Sequence, residues 1–527
     1  MKKLTTQLRF AWMVILLIGP LHVLAQKAID IGSRLELFVD DYLIDTLLGG
    51  AELRMHHPVP ANIALVHDAP WEGSGSGFHS VFKDGDIYRM YYKAWQHEGS
   101  ADTSGVHPSY CAYAESRDGI HWYKPDLGLV AFKGSKKNNI VITDEMSGHL
   151  KSNSGHPAVF RDENPNAAPD ARYKALVRGV KPLSTIAYKS ADGIHWKLMG
   201  DRPLLTEGTF DSQNLAFWDR LKGEYRIYWR YYSEEVPTAR FRGKRAIRTA
   251  VSKDFLHWSR QQDLSYGDAP EEDLYTSQVI PYYRAPQIYI GFPALYKDRG
   301  WSESMRQLPE LRERKIRAAK SKKGGNKDSD TRFGTVLTEG LLMAGRDGVH
   351  FKRWPEAFLR PGIERKGSWT YGDNFIGWQM VETKSPLPGA PNELSFYVSE
   401  NYWKGRASAV RRYTLRIDGF VSVNAPMKGG TVITRPFVFS GDQLVLNFSS
   451  SAAGDIRVEI QDVKGKPVNG FSLADCVPVY GDAIARKVFW NGSGDLSVLQ
   501  GKPVRLRFVL KDADLYSFGF QQRKKTK

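Results

Sequence analysis

The chain has 527 residues, 42% hydrophobic and 25% charged, which allows two to four domains with ordinary cores and excludes general disorder. Its 74 Lys and Arg against 58 Asp and Glu leave a net charge of +16, but no nucleic-acid-binding motif accompanies that excess. Two cysteines, Cys111 and Cys476, are too few for a disulfide framework or a cysteine metal site and are expected as buried free thiols.

In chain order, the first element is a leader. Lys2, Lys3 and Arg9 flank an apolar run from Ala11 to Leu24, and Val23-Leu24-Ala25 offers small-residue cleavage chemistry before Gln26. Residues 1–25 read as a secretory signal peptide, so the expected location is secreted or periplasmic, with no membrane span after cleavage. Next, "LELFVDDYLI" at 35–44 reads as a strand.

From about residue 70 a unit recurs five times. Each unit opens with a short apolar run, beginning at 79, 156, 215, 279 and 374. An alternating aromatic strand follows: "DIYRMYYKA" from 86, "ARYKALVRG" from 171, "EYRIYWRYY" from 224, "QIYIGFPALY" from 287 and "ELSFYVSEN" from 393. A turn octet ends most units: "ESRDGIHW" (115–122), "KSADGIHW" (189–196), "VSKDFLHW" (251–258), "AGRDGVHF" (344–351) and the degraded "LRIDGFVS" (415–422). The Gly supplies positive φ at a hairpin tip, Ser and Asp side chains accept from turn amides, and the Trp is placed to wedge between neighbouring sheets. Asp118, Asp192, Asp254, Asp347 and Asp418 are therefore structural.

Five repeats of four antiparallel strands predict an all-β chain: a five-bladed β-propeller over residues 26–428, closed when the strand near 35–44 pairs with the last blade. Strands without the octet then predict a small β-sandwich at 429–521, followed by a basic tail at 522–527. The basic stretch 306–327 interrupts the fourth blade and reads as a solvated loop or surface helix, or as a landing strip for an acidic polymer. Its Gly324-Gly325 suggests an exposed end.

In a propeller, acids just ahead of the innermost strands converge at one channel mouth. These lead-ins carry Glu72, Asp211, Glu272 (between Glu271 and Asp273) and Asp373, while the second blade offers His156 and no acid. Glycosidic hydrolysis needs a protonated carboxyl and an ionised one, and converging carboxylates drive their pKa values apart. Asp211 is expected as base or nucleophile, Glu272 as general acid, Asp373 as their tuning partner and Glu72 as a reserve. His79, His156, Gln213 and Asn214 are expected to meet sugar hydroxyls or an anionic substituent. Tyr275, Trp71 and Trp369 are expected to stack on sugar rings. Glu400, beside Tyr402 and Trp403, reads as a rim residue.

With these repeats, turns and acids the chain resembles the five-bladed propeller glycosidases, the clan of invertases, levansucrases and arabinanases. The resemblance spans the propeller and the trailing β-region and implies a glycoside hydrolase acting on a poly- or oligosaccharide. That clan places Asp on the first two blades and a Glu on the third. Here the first inner strand has no Asp, the second has no acid, and the third has Asp211, so catalytic roles do not carry over residue by residue. The positive charge favours an acidic substrate. No cofactor or metal is expected, since nothing specifies ligands for a channel calcium, and the oligomeric state is open. Competing readings are a non-catalytic sugar-binding propeller, a sialidase-like enzyme, and a lyase using His and Tyr at the mouth.

Overall fold

The computed structural model describes residues 28–97, 105–234, 243–322 and 332–523. The expected signal peptide, the Gly-Gly at 324–325 and residues 524–527 of the basic tail lie outside these.

The alternating aromatic segments are strands, and they build five four-stranded antiparallel sheets. Innermost strand first, blade 1 comprises Gly77–Asp84, Ile87–Ala94, Tyr110–Ser116 and Ile140–Ile142. Blade 2 comprises Ser152–Arg161, Tyr173–Val180, Leu183–Ser190 and Lys197–Leu198. Blade 3 comprises Leu215–Asp219, Glu224–Tyr232, Arg245–Ser252 and Gln262–Asp263. Blade 4 comprises Ile280–Tyr282, Ala285–Gly291, Met343–Gly345 and Phe351–Arg353. Blade 5 comprises Val381–Thr383, Glu393–Glu400 and Ala409–Arg416, with Val59–Val66 as its outermost strand. The five-bladed propeller read from the repeats is the fold observed.

The ring does close with an N-terminal strand, but not the expected one. Residues 59–66 pair with Ala409–Arg416, whereas 35–44 leads elsewhere. Glu36–Leu37, Ile44–Gly49 and Glu52–Met55 pair with strands beyond residue 420. The C-terminal region is one eight-stranded antiparallel sheet that takes in these segments as well as Val421–Ala425. It therefore takes in strands from before residue 429, while its last strand ends at Gln521. Its two longest strands, Gln443–Gln461 and Arg505–Gln521, change register near Ser450 and Asp455. Apolar residues on both sides of that irregularity, Leu446 and Phe448 with Val458 and Ile460, fill a single core. Both cysteines are buried thiols.

The octets act as fasteners, and the structure explains a letter that the sequence reading left idle. Asp118 Oδ1 accepts from the amides of Ile120 and His121, and Asp118 Oδ2 meets His121 Nδ1 at 2.8 Å. The same Asp–His closure recurs at 192/195, 254/257 and 347/350, each at 2.7 Å. Neighbouring blades grip the turn. Tyr91 Oη donates to Gly193 O at 2.8 Å, Tyr228 Oη to Gly348 O at 2.8 Å, and Tyr397 Oη to Gly119 O. Trp122 and Trp196 lie edge-on to Tyr397 and Tyr91 of the preceding blades. In blade 3, Phe255 replaces the glycine and the contact is apolar, with Phe160 of blade 2 at 5.9 Å. The fifth octet departs: Asp418 is buried and accepts from Tyr282, Arg284, Asn447 and Ser517, tying blade 4 to the C-terminal sheet.

The propeller axis is plugged. Gln213 Nε2 donates to Phe78 O, Ser80 Oγ and Pro157 O, and Gln278 Nε2 bridges Gln213 Oε1 and Ile376 O. Five blades are thus joined through two amides. Gln213, expected to meet a sugar hydroxyl, is consumed by this plug.

Candidate functional site

Each blade's first two strands run antiparallel, so the start of the inner strand lies beside the end of the second. Lys93 stands opposite Gly77 and Arg178 opposite Asn153. Arg230 follows two residues after Tyr228, the partner of Leu215, and occupies the equivalent position in blade 3. Three consecutive blades therefore place a cation at one repeat position. In sequence each follows its strand's tyrosine (Tyr88, Tyr173, Tyr225) by five residues.

Aromatic rings floor this mouth. Tyr275 stacks on Phe375 with centroids 5.4 Å apart, and Phe78 lies 6.4 Å from Tyr275 and 4.9 Å from the ring of His156. The Lys93 ammonium lies 4.8 Å from the Phe78 centroid and donates to Tyr402 Oη at 2.8 Å. Burial among these rings drives the Lys93 amine well below its usual range. Burial likewise pushes the His156 imidazole well down, and Lys93, Arg178 and Arg230 push it further. Arg230 lies 4.7 Å over the Tyr275 ring and forms an ion pair with Asp211, whose backbone carbonyl accepts from Tyr275 Oη at 3.3 Å. Asp211, His156 and Tyr275 are thus brought together as expected.

Asp373 lies on the same floor by way of Tyr402, whose ring is 6.1 Å from Phe375 and whose amide donates to Asp373 Oδ1 at 3.1 Å. Thr370 Oγ1 donates to Asp373 Oδ2 at 2.7 Å. Burial raises this carboxyl to about 7 in spite of both hydrogen bonds and the nearby Arg317. Gly372 is obligatory beside it, with φ +82° and the Tyr402 ring only 2.0 Å from where a Cβ would stand.

The basic stretch is not merely a solvated run. Blade 4 breaks at Phe292-Pro293 and extends a hairpin, Ala294–Asp298 with Val336–Gly340, that carries three helices: α1 (Glu303–Gln307), α2 (Leu311–Lys322) and α3 (Arg332–Thr335). Arg314 and Arg317, one turn apart on α2, are 0% and 1% exposed. Arg314 donates to the carbonyls of Pro309 and Trp369, while the Arg317 guanidinium has no hydrogen-bond partner among the described residues. Asp373 acts on both electrostatically, and burial lowers both, Arg314 to about 10. The insertion is pinned by Lys404 to Glu310 and by the Phe333 ring 4.6 Å from Trp403.

Several expected residues do work elsewhere. Glu272 pairs with Arg353 on the outermost strand of blade 4 at 2.9 Å, and Glu271 and Asp273 pair with Lys244 and Arg245. A blade-to-blade connection crosses the full width of a sheet, and eight residues before its inner strand this one is still at the rim. Glu72 is buried, one oxygen accepting from Tyr92 Oη and the other from Lys124 Nζ and the Ala69 amide. Trp71 donates to Asn139 Oδ1, and His79 is buried against His67 with their Nε2 atoms 3.1 Å apart. Asn214 braces the Phe210 carbonyl, and Trp369 donates to Gly362 O while its own carbonyl holds Arg314. Glu400 is clamped by Arg365 and Arg411. Among the described residues, no cluster of three or more His, Cys, Asp or Glu is arranged to hold a metal ion.

No protein-family model matches the chain, and no curated protein sequence does. Among solved structures, a glycoside hydrolase aligns at 14% identity over 68% of this chain and 92% of its own, with a TM-score of 0.41. An N-acetylgalactosamine deacetylase from F. plautii, in complex with blood group B trisaccharide, aligns at 12% over 72% and 96%, with a TM-score of 0.40. A structure from the GH130 family of mannoside phosphorylases, containing glycoside hydrolases that target β-1,2 mannosidic linkages in Candida mannan, aligns at 12% over 68% and 94%, with a TM-score of 0.38. Superpositions this loose transfer no residue roles.

Proposed function

We propose that this chain is a propeller glycoside hydrolase acting outside the cytoplasm on an acidic poly- or oligosaccharide bound across the channel mouth. Asp373 is the proton donor, and Asp211 is the carboxylate that attacks the sugar or activates water. The observation carrying this reading is the contrast between the two carboxyls. Asp373 is fully buried and raised to about 7, the condition of an acid that still holds its proton near neutrality. Asp211 is 30% exposed and ion-paired with Arg230, the condition of a working carboxylate. The stacked rings of Tyr275 and Phe375 suit the apolar face of a sugar.

The test is reducing-sugar release from a panel of acidic polysaccharides. Asp373→Asn and Asp211→Asn should each lower turnover by about 100-fold or more. An aryl glycoside with a good leaving group should rescue Asp373→Asn and not Asp211→Asn, because only the former lacks leaving-group protonation. Full activity in either variant would remove that residue from the mechanism, and sugar binding without turnover in the unmodified protein would make this a binding module.

One observation favours elimination as a second reading: the imidazole of His156 and the amine of Lys93 are both pushed toward neutrality beside Tyr275 and Arg230. A lyase needs such a base together with a cation on the substrate carboxylate. Products absorbing in the ultraviolet as unsaturated uronates would establish it.

A further inference from the structure

The blade 4 insertion grips the turn that carries Asp373. Thr338 Oγ1, on the insertion's second strand, donates to Asp373 O at 2.6 Å and accepts from the Gly372 amide at 3.0 Å. Asn374 Nδ2 donates to Thr338 O at 3.3 Å, Arg314 donates to Trp369 O, and the Tyr371 ring lies 5.4 Å from Phe333. Arg317 breaks this pattern of satisfied groups. It is 1% exposed, and none of its guanidinium nitrogens has a hydrogen-bond partner among the described residues. A buried cation left in that condition is destabilising. Asp373 acts on it most strongly, followed by Glu313 and Glu310, with the Arg314 cation beside it on α2. Glu310 is paired with Lys404. Asp373 in turn feels Arg317 and, from blade 5, Glu400, which Arg365 and Arg411 neutralise. Of these carboxyls, Asp373 is the one whose charge the proposed reaction changes.

We infer that Arg317 is a positioning residue for proton transfer, idle while Asp373 holds its proton and engaged by the carboxylate that Asp373 becomes when the proton leaves. This rests on reading Asp373 as the acid and adds what the insertion contributes to it. In that step the proton passes from Asp373 to the glycosidic oxygen. The bond from that oxygen to the sugar carbon breaks, its electron pair stays on the oxygen, and Asp211 supplies the replacing pair to carbon, directly or through the water it deprotonates. Asp373 is left charged in a place that disfavours charge, and a guanidinium already fixed on α2 offsets this without any solvent reorganising. An interaction missing from the resting state and formed as the proton departs lowers the barrier instead of tightening substrate binding.

The experiment compares the unmodified full-length protein with Arg317→Met, Arg317→Lys, Asp373→Asn and the Arg317→Met, Asp373→Asn double variant. At about pH 5.5 Asp373 holds its proton, so Arg317→Met should melt above the unmodified protein. At about pH 8.5 that advantage should be gone, because a carboxylate would then be buried without its cation. In the Asp373→Asn background the effect of Arg317→Met should not vary with pH. On whichever glycoside the protein hydrolyses, Arg317→Met should lower kcat about tenfold with KM little changed. It should also move the alkaline limb of the pH profile up by about one unit, and Arg317→Lys should restore part of both. Failure of Arg317→Met to fold, or a lower melting temperature at both pH values, makes Arg317 a structural residue and overturns the proposal, as does an unmoved alkaline limb. The melts need no substrate: pH-dependent melts without hydrolysis of any glycoside remove the glycosidase and keep the coupling of Arg317 to Asp373, whereas pH-independent melts with normal hydrolysis remove the coupling alone.

Discussion

A carboxyl held near 7 by its surroundings is a handle on both catalysis and stability. If Asp373 donates the proton, activity falls as pH rises past about 7, and Asp373→Asn abolishes that limb together with the rate. Its folded value lies above its unfolded one, so its contribution to stability is complete below about 4 and is lost as pH rises through about 7. The loss amounts to roughly 4 kcal/mol. Thermal melts should show unmodified protein losing ground to Asp373→Asn between pH 5 and pH 8, and parallel curves would contradict the burial argument. Asp211, Asp373, His156 and Tyr275 were legible because they stand at the entries to inner strands, His156 within one and Asp373 just ahead of the Ile376–Val398 bridge that opens blade 5, where geometry delivers them to the mouth. Lys93, Arg178 and Arg230 are written in the repeat, five residues after each strand's tyrosine, but a cation at the end of an alternating strand carries no local sign of which end forms the mouth. Arg314 and Arg317 were not legible, since a basic helix folds down onto the mouth only through contacts such as Lys404 with Glu310, made far apart in sequence.

At the scale of turns and strands, each of the first four octets spends its Asp on two amides and a histidine. Asp192→Ala should cost about 1 kcal/mol, read as a lowered melting temperature, with sugar binding untouched. Gln213→Ala should cost more, about 2–4 kcal/mol, because Phe78 O and Pro157 O lose their donor and the Gln278 amide keeps only Ile376 O inside the plug. A rise in KM without a loss of stability would return Gln213 to the substrate. The His67–His79 pair sits between the blade 1 inner strand and Ser408 of blade 5. Burial lowers both rings, His79 to about 3, so their stabilisation is present above about 6.5 and drains away as pH falls toward 3. His79→Gln should flatten that acid-side slope. The sequence showed these strands and turns because alternation and Gly-Asp chemistry are local. It did not show that Gln213 faces the axis, since that depends on four other blades.

For the whole molecule, the number of blades was readable from the count of repeats, but the partner closing the ring was not. Residues 35–44 and 59–66 are both strand-like, and pairing with blade 5 or with the C-terminal sheet is settled by register and by the core each side chain enters. Deleting residues 28–66 should leave the Ala409–Arg416 edge and the Val421–Ala425 edge uncovered and yield aggregated chains, whereas a soluble monomer with native circular dichroism would refute this account of closure. The same stitching dictates an order of assembly. Strands made early wait for partners made hundreds of residues later, because Ile44–Gly49 needs Gly430–Thr434 and Glu36–Leu37 needs Phe518 and Ser517. The newborn chain therefore carries unpaired edges until residues 505–521 have emerged.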